Sequence, residues 1–221
     1  MPQNPRYQEI SDLPTHLPLF PLAGALLLPR VDLPLNVFEP RYLAMVEDAM
    51  GSHRMIGMIQ PRDGEVDSNP KLESIGCAGR ITAYSEGEDG RLMITITGVC
   101  RFTLEEESET DKAYRQASVD YGKFAGDLVS ETGSSSVNRR ELVAAFRSYL
   151  EANSMTANWR EVEEVSTEIL VNTLSLLAPY PPRDKQALLE APDLKSRAEV
   201  LVALTELQLS RSGNSTRPRM Q

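Results

Sequence analysis

The chain has little of what most catalysis requires. It contains no GxxxxGK[ST] motif, so no glycine-rich loop is on offer to cradle phosphates. GxSxG, HExxH and GxGxxG are missing as well. There are only two histidines, His16 and His53, and two cysteines, Cys77 and Cys100. The cysteines do not form a CxxC pair and read as small buried hydrophobes in strands. The histidines sit in a Pro-flanked start and a helix-end loop, and read as surface structure. One histidine near two scattered thiols does not give zinc-ligand spacing, so no metal or cofactor is expected. Positive charge is also scarce. Lys and Arg number 23 against 32 Asp and Glu, a net charge of −9 with pI near 4.9. Nucleic-acid binding is therefore disfavoured, because phosphate contacts rely on clustered cations. No apolar run approaches the roughly 20 residues of a membrane span. The first residues, MPQNPRYQEISDLP, are too polar for a secretory leader. A soluble, cytoplasmic protein is expected.

What is present is concentrated between Leu17 and Tyr42, LPLFPLAGALLLPRVDLPLNVFEPRY. Pro18 and Pro21 bound a first apolar group, which suggests an edge strand or an interrupted one, since proline gives no N–H to a ladder. Residues 25–28 are a short apolar run between breakers and read as a strand buried on both faces. Leu33, Leu35 and Val37 then alternate with polar or Pro positions, as in a half-buried strand. At Phe38 the period changes. Pro40 suits a first helical turn and Glu39 the positive end of the helix dipole. Tyr42, Met45, Val46 and Ala49 share one helical face, and Gly51 is a plausible stop.

Further strands are expected at 55–59, 75–84, 91–97, 101–104 and 113–121, with Gly76 and Gly79 marking a bulge or sharp coiling and Gly98 a break. Short strands spaced by turns, with one inserted helix, read as a barrel-like β domain. The expected division is a flexible arm at 1–12, the β subdomain at 13–121, a Gly/Ser linker at 122–136, a helical subdomain at 137–209 and a disordered tail at 210–221. Within the helical part, Asn138 with Glu141 and Asn158 with Glu161 have capping-box spacing. Leu142, Ala145, Phe146 and Tyr149 form an apolar stripe. The second cap opens a helix carrying Val162, Val165 and Ile169, and its end at 170–177 is apolar all round, so it should be buried on more than one side.

LPLFPL followed by LPLNVFEPRYLAMV resembles the N-terminal substrate-binding domain of the Lon protease family, FEPRY being the most specific element. IGMI, IGCAGRI and GVCRF follow in the expected order, and the helical half is similar from Lys185-Gln186 to Leu201. The resemblance covers roughly residues 13–209. It implies an α+β fold: a PUA-like β-barrel with an inserted helix, followed by a C-terminal helical bundle. It also implies a non-enzymatic module that binds protein substrates or unfolded polypeptide, in protein quality control, working with a protease or chaperone. The ATPase and Ser-Lys protease modules of full-length Lon are expected to lie outside this chain, so neither activity is carried over.

The signature residues Phe38, Glu39, Pro40, Arg41 and Tyr42 are expected to be mainly structural. Phe38 and Tyr42 should pack in the core, Glu39 at the helix cap, and Arg41 against a carbonyl or carboxylate. A binding surface is sought instead at Met55, Met58 and Met93, because methionine adapts to varied apolar partners, although ordinary core is the favoured reading for all three. Trp159 is expected at the junction of the β and helical parts. Two alternatives stand beside the protein-binding reading. An RNA-binding PUA-like module would need a basic patch with exposed aromatics, against an aromatic share of 6%. A hydrolase of unrecognised type would need converging titratable groups, for which the sequence offers no constellation.

Overall fold

The computed structural model describes residues 7–62 and 69–215. The fold is mixed α+β with a six-stranded sheet. The strands are β1 (His16–Pro21), β2 (Asp32–Val37), β3 (Met55–Ile59), β4 (Ile75–Glu86), β5 (Leu92–Glu107) and β6 (Gln116–Asp120). Their order is β2-β5-β4-β3-β1-β6, and β6 pairs again with β5, so the pairing path returns to a strand it has already used. Helix α1 (Pro40–Met50) lies between β2 and β3. After β6 come 3-10 turns at Gly122–Leu128 and Ser134–Ser136, then α2 (Arg139–Ala152), α3 (Trp159–Glu164), α4 (Thr167–Leu177), α5 (Pro182–Glu190) and α6 (Leu194–Ser215).

Several local expectations meet the structure directly. Tyr42, Met45, Val46 and Ala49 are the buried residues of α1, with Pro40 at its first turn and Gly51 at its end. Leu92, Ile94 and Ile96 point inward from β5. Asn138 accepts a hydrogen bond from the backbone N–H of Glu141 and donates its amide to that residue's carboxylate, closing α2 at its N-terminus.

Other expectations are corrected. Strand β1 is not at an edge. Its first half pairs antiparallel with β6 and its second half parallel with β3, so each half is laddered to a different neighbour. Residues 25–28 form no strand, yet Leu26, Leu27 and Leu28 are buried. They lie in a loop that crosses β5 at Gly98. Gly98 N–H donates to Val31 O at 3.0 Å, and Gly98 O accepts from Arg30 N–H at 2.8 Å. A Cβ on Gly98 would stand 2.0 Å from the Leu28 carbonyl oxygen, so only glycine permits the crossing. Gly98 does not end a strand: β5 runs through it, with a register shift against β4 at Gly98. Gly79 makes the adjoining room, since a Cβ there would meet Leu27 at 2.6 Å, and the β4–β5 register shifts beside it. The helix expected from Asn158 is split. Val165 leaves helical geometry, and Ser166 caps α4 by accepting from Ile169 N–H. At the C-terminus α6 continues to Ser215, past the residue 210 where disorder was expected to begin, and the last six residues lie outside the described part.

Residues 122–136, expected as a linker, are largely exposed but fastened to the fold at two side chains. Phe124 is buried, and Asp127 takes both Nε and Nη2 of Arg101 at 2.8 Å in a bidentate pair. Nη1 of Arg101 donates to the carbonyls of Leu189 and Ala191, at the end of α5. Arg101 is 4% exposed at its side chain, so this pair and its carbonyl acceptors tie β5 to the helical half from inside. Gln60, at the end of β3, does the same with amides. It accepts from Gly24 N–H and donates to Pro182 O and to Gln186 in α5. Arg30 extends the seam to α4 by pairing with Glu168 and donating to Asp127 O. Its φ of +63° is rare for a residue with a side chain. Apolar side chains of both halves share one continuous core beneath these contacts.

Helix α4 therefore has two working faces. Glu168 and Asn172 face the seam, where Asn172 donates to Pro29 O at 3.1 Å. Leu170, Leu174 and Leu177 face the other way, towards α2 and α3.

Candidate functional site

The outward face of α4, the stripe of α2 and the short α3 enclose a groove of about 410 Å³. Its walls are Phe146, Tyr149 and Leu150 of α2, Trp159 and Val162 of α3, and Leu170, Leu174 and Leu177 of α4. Met155, in the connection from α2 to α3, closes one end. Two of these side chains stand out at the rim, Leu177 at 69% exposure and Met155 at 53%. Together with the partly covered Phe146, Tyr149 and Leu174 they make a contiguous apolar lining, the kind of surface that suits a partner.

The sequence produces this groove by an excess of apolar faces. Leu142, on the α2 stripe, is fully buried. Phe146 and Tyr149 on the same stripe are only partly covered, their rings 6.1 Å apart and tilted by 54°. Helix α4 carries apolar residues on more than one side, and the core leaves Leu174 half covered and Leu177 exposed. Trp159 opens α3, and Arg147 of α2 lies over its ring at 4.2 Å, a cation–π contact that sets the indole against the groove wall. Helix α3 buries none of its residues. It is held mainly through backbone, with Arg139 of α2 donating to the carbonyls of Val162 and Val165 at 2.6 and 2.7 Å.

The chemistry available here is adhesive. Among the described lining residues the polar side-chain groups are the Tyr149 and Thr156 hydroxyls and the Trp159 indole N–H. None is an acid, a base or a metal ligand of the usual kind. A groove of this size and character takes one or two apolar side chains of a partner.

The residues singled out from the sequence are scattered. Trp159 lies in the groove, among helices, and not at the junction with the sheet. Met55 and Met58 are core residues at 0% and 3% exposure, so they offer no surface. Met93 is 64% exposed on the outer side of β5, and none of the three methionines lines the groove.

The FEPRY residues divide too. Phe38 is 61% exposed and not packed in the core, with Arg91 over its ring at 5.7 Å. Val37, the last residue of β2, takes the buried position, and strand alternation turns its neighbour outward. Tyr42 is buried and stacks on Phe20 with centroids 4.3 Å apart, and burial raises its phenol pKa. Pro40 occupies the first turn of α1. Glu39 stands at the N-cap position without capping through its side chain, and bonds Arg41 Nε and Nη2 at 3.0 and 2.8 Å. Arg41 thus meets a carboxylate and also covers the Tyr42 ring at 4.5 Å. Arg41 and Tyr42 border a separate, polar cleft of about 400 Å³ with Tyr114 and Arg115. Both arginines there are paired, Arg41 with Glu39 and Arg115 with Glu107, while Tyr114 donates to Asp48 at 2.6 Å.

The thiols and imidazoles take structural places. Cys77 and Cys100 are free and buried, and burial pushes the Cys100 thiol up to about 12, which keeps it protonated and inert. His16 bridges Ser108 and Ser118. His53 Nδ1 accepts from Met55 N–H at 3.1 Å, and burial lowers its pKa.

Of the groove walls only Trp159 was named as a site from the sequence; Phe146, Tyr149, Leu174, Leu177 and the rest were not. For Phe146, Tyr149, Leu174 and Leu177 the signal was present in the apolar stripe of α2 and in the apolar 170–177 segment, which was expected to be buried.

Comparison with known proteins gives three findings. The model of the ATP-dependent protease La (LON) substrate-binding domain matches residues 16–206. A Lon protease of Dictyoglomus thermophilum is 24% identical over 204 residues, 86% of this chain and 24% of that protein. The chain spans about a quarter, or less, of the length of the curated Lon proteases it matches. Among solved structures, a Lon N-terminal domain protein from Xanthomonas campestris superposes with a TM-score of 0.61 at 25% identity, covering 86% of this chain and 98% of that one. The N-terminal domain of a Mycobacterium avium complex Lon protease does so with a TM-score of 0.64 at 16% identity and the same coverage, a likeness of fold.

Proposed function

The chain belongs to the family of the ATP-dependent protease La (LON) substrate-binding domain, and on that premise we propose that it holds unfolded protein segments through the groove between α2, α3 and α4. The observation that carries this reading is the pairing of a substrate-binding family with one markedly apolar, partly open groove. Burying one Leu- or Phe-sized side chain there contributes about 1.5–3 kcal/mol, roughly tenfold to a hundredfold in affinity. That suits weak, broad recognition of exposed apolar segments, as expected of a non-enzymatic module in protein quality control that works with a protease or chaperone in the cytoplasm. The same reading takes the returning strand path as a PUA-like β-barrel and α2 to α6 as a helical bundle. Among the described residues no helix is long and apolar enough to cross a membrane.

The groove carries its own reporter, because Trp159 is the only tryptophan of the chain. Titration with a permanently unfolded, alkylated model protein should shift Trp159 emission to the blue and saturate. The same protein in its folded form should leave the emission unchanged. If the unfolded protein binds by calorimetry while Trp159 emission stays constant, the site lies elsewhere and the groove reading is wrong.

A further inference from the structure

The backbone fixes where Met155 stands. Helix α2 ends in a Schellman turn: Ser154 N–H donates to Glu151 O at 3.1 Å, and Met155 N–H reaches back to Leu150 O at 2.8 Å. Ser154 supplies the left-handed residue that such a turn needs, with a φ of +56°. The Asn153 amide adds a bond to Tyr149 O at 2.8 Å. In this motif the residue after the left-handed one commonly packs against the last turn of the helix. Met155 and Leu150 both line the groove, so the thioether is held at the groove's end by the turn that closes α2.

Met155 is at the same time 53% exposed, so an oxidant in solution reaches its sulfur. Among the described methionines, Met45, Met55 and Met58 are at most 3% exposed and Met50 is half-buried. Met93 alone shares the exposure of Met155, and it lies on β5, outside the groove. Hydrogen peroxide converts a thioether to a sulfoxide. The sulfur lone pair attacks one peroxide oxygen, an S–O bond forms and the O–O bond breaks. The second oxygen takes up the proton and leaves as water. Sulfur gives up two electrons and peroxide gains them. The product is polar, and a client side chain seated against it would cut the new S–O group off from water, which is costly.

We propose that Met155 is an oxidation site, at which hydrogen peroxide forms the sulfoxide and loosens the hold of the groove on apolar segments. The proposal rests on the reading of the groove as the client site. Loss of one methionine's apolar contact should lower client affinity roughly tenfold. The change is reversible, since methionine sulfoxide reductases regenerate the thioether.

The test uses the full chain and an alkylated, permanently unfolded model protein that never meets peroxide. The chain is treated with graded hydrogen peroxide, freed of it and mapped by mass spectrometry, and client affinity is measured by calorimetry. Met155 should be oxidised together with Met93 and well before Met45, Met55 and Met58. Affinity should fall in step with the fraction of Met155 sulfoxide, and methionine sulfoxide reductases should restore it. Met93→Leu should lose affinity on oxidation as the wild type does. Met155→Leu, compared with itself before and after peroxide, should lose none. Undiminished binding by a chain fully oxidised at Met155, a Met155 no faster to oxidise than Met55, or an equal loss in Met155→Leu would each overturn this proposal alone. Failure to bind before any peroxide is added would overturn the groove reading, and this proposal with it.

Discussion

The sheet half and the helical half spend their residues differently. In the sheet half the exposed large apolar groups, Phe38, Tyr84 and Met93, line none of the groove, and two glycines are fixed by close approach of a neighbouring loop. Polar groups there are joined in pairs that reach across to the helices. The helical half leaves a groove lined by aromatic and aliphatic side chains, with α3 contributing no buried residue at all. The most recognisable sequence, FEPRY, belongs to the finished half. The surface suited to holding a partner belongs to the half with the weaker signature. A family motif in this fold thus reports how the sheet and its helix are built, while the proposed binding surface rests on positions whose requirement is only to be apolar.

That contrast breaks if a seam residue proves to be a binding residue, or a groove residue a stabilising one. The largest effect is expected for Asp127→Ala, which strands Arg101 in a site only 4% exposed. Unfolding by urea should show a loss of about 3–5 kcal/mol, the usual consequence of breaking a buried ion pair from one side. Next comes Leu174→Asp, which places a charge in the groove wall. Affinity for an unfolded client, read from Trp159 emission, should fall at least about tenfold, while stability changes by less than about 1 kcal/mol. A loss of stability as large as that of Asp127→Ala would reclassify the groove as core. A smaller effect still is expected for Phe38→Ala combined with Met93→Ala. These are the most exposed large apolar side chains of the sheet half, so affinity should be unchanged and stability should move by no more than about 0.5 kcal/mol. A drop in client affinity would return the binding surface to the sheet.

The smallest effect concerns pH. His53 has its pKa lowered by burial, and its Nδ1 accepts a backbone N–H, which requires the neutral ring. The folded state then binds fewer protons than the unfolded one below the ordinary histidine pKa near 6.5. Stability should accordingly be full above that value and decline as pH falls through and below it. His53→Gln should flatten this part of a melting-temperature profile. An unchanged slope would show that other groups account for it.

Local periodicity made much of this molecule legible. The buried face of α1 followed from Tyr42, Met45, Val46 and Ala49, and the cap of α2 from Asn138 and Glu141. What escaped was whatever depends on a distant neighbour. Leu26, Leu27 and Leu28 read as a strand because an apolar run looks the same in a strand and in a loop buried against glycine. Gly98 read as a break for the complementary reason, since its partner is 70 residues away at Leu28. Phe38 read as core because aromatic residues usually are. The groove was half legible: α4 was correctly seen as apolar on more than one side, but only tertiary packing decides which side the core will leave uncovered.

Helix α4 gives the groove one wall that cannot yield. To shift Leu170, Leu174 and Leu177 outward, the helix would have to release Glu168 from Arg30 and Asn172 from Pro29 on its far side. The opposite wall, α3, hangs from α2 by the Arg139 guanidinium and meets the core only through the half-buried Val162 and, at its C-terminal end, Val165. The groove is in mechanical terms a vice with one jaw bolted to the frame and the other on a pivot. If the groove holds clients as proposed, such a device suits objects of different width, and its selectivity falls on how greasy the object is, not on its outline.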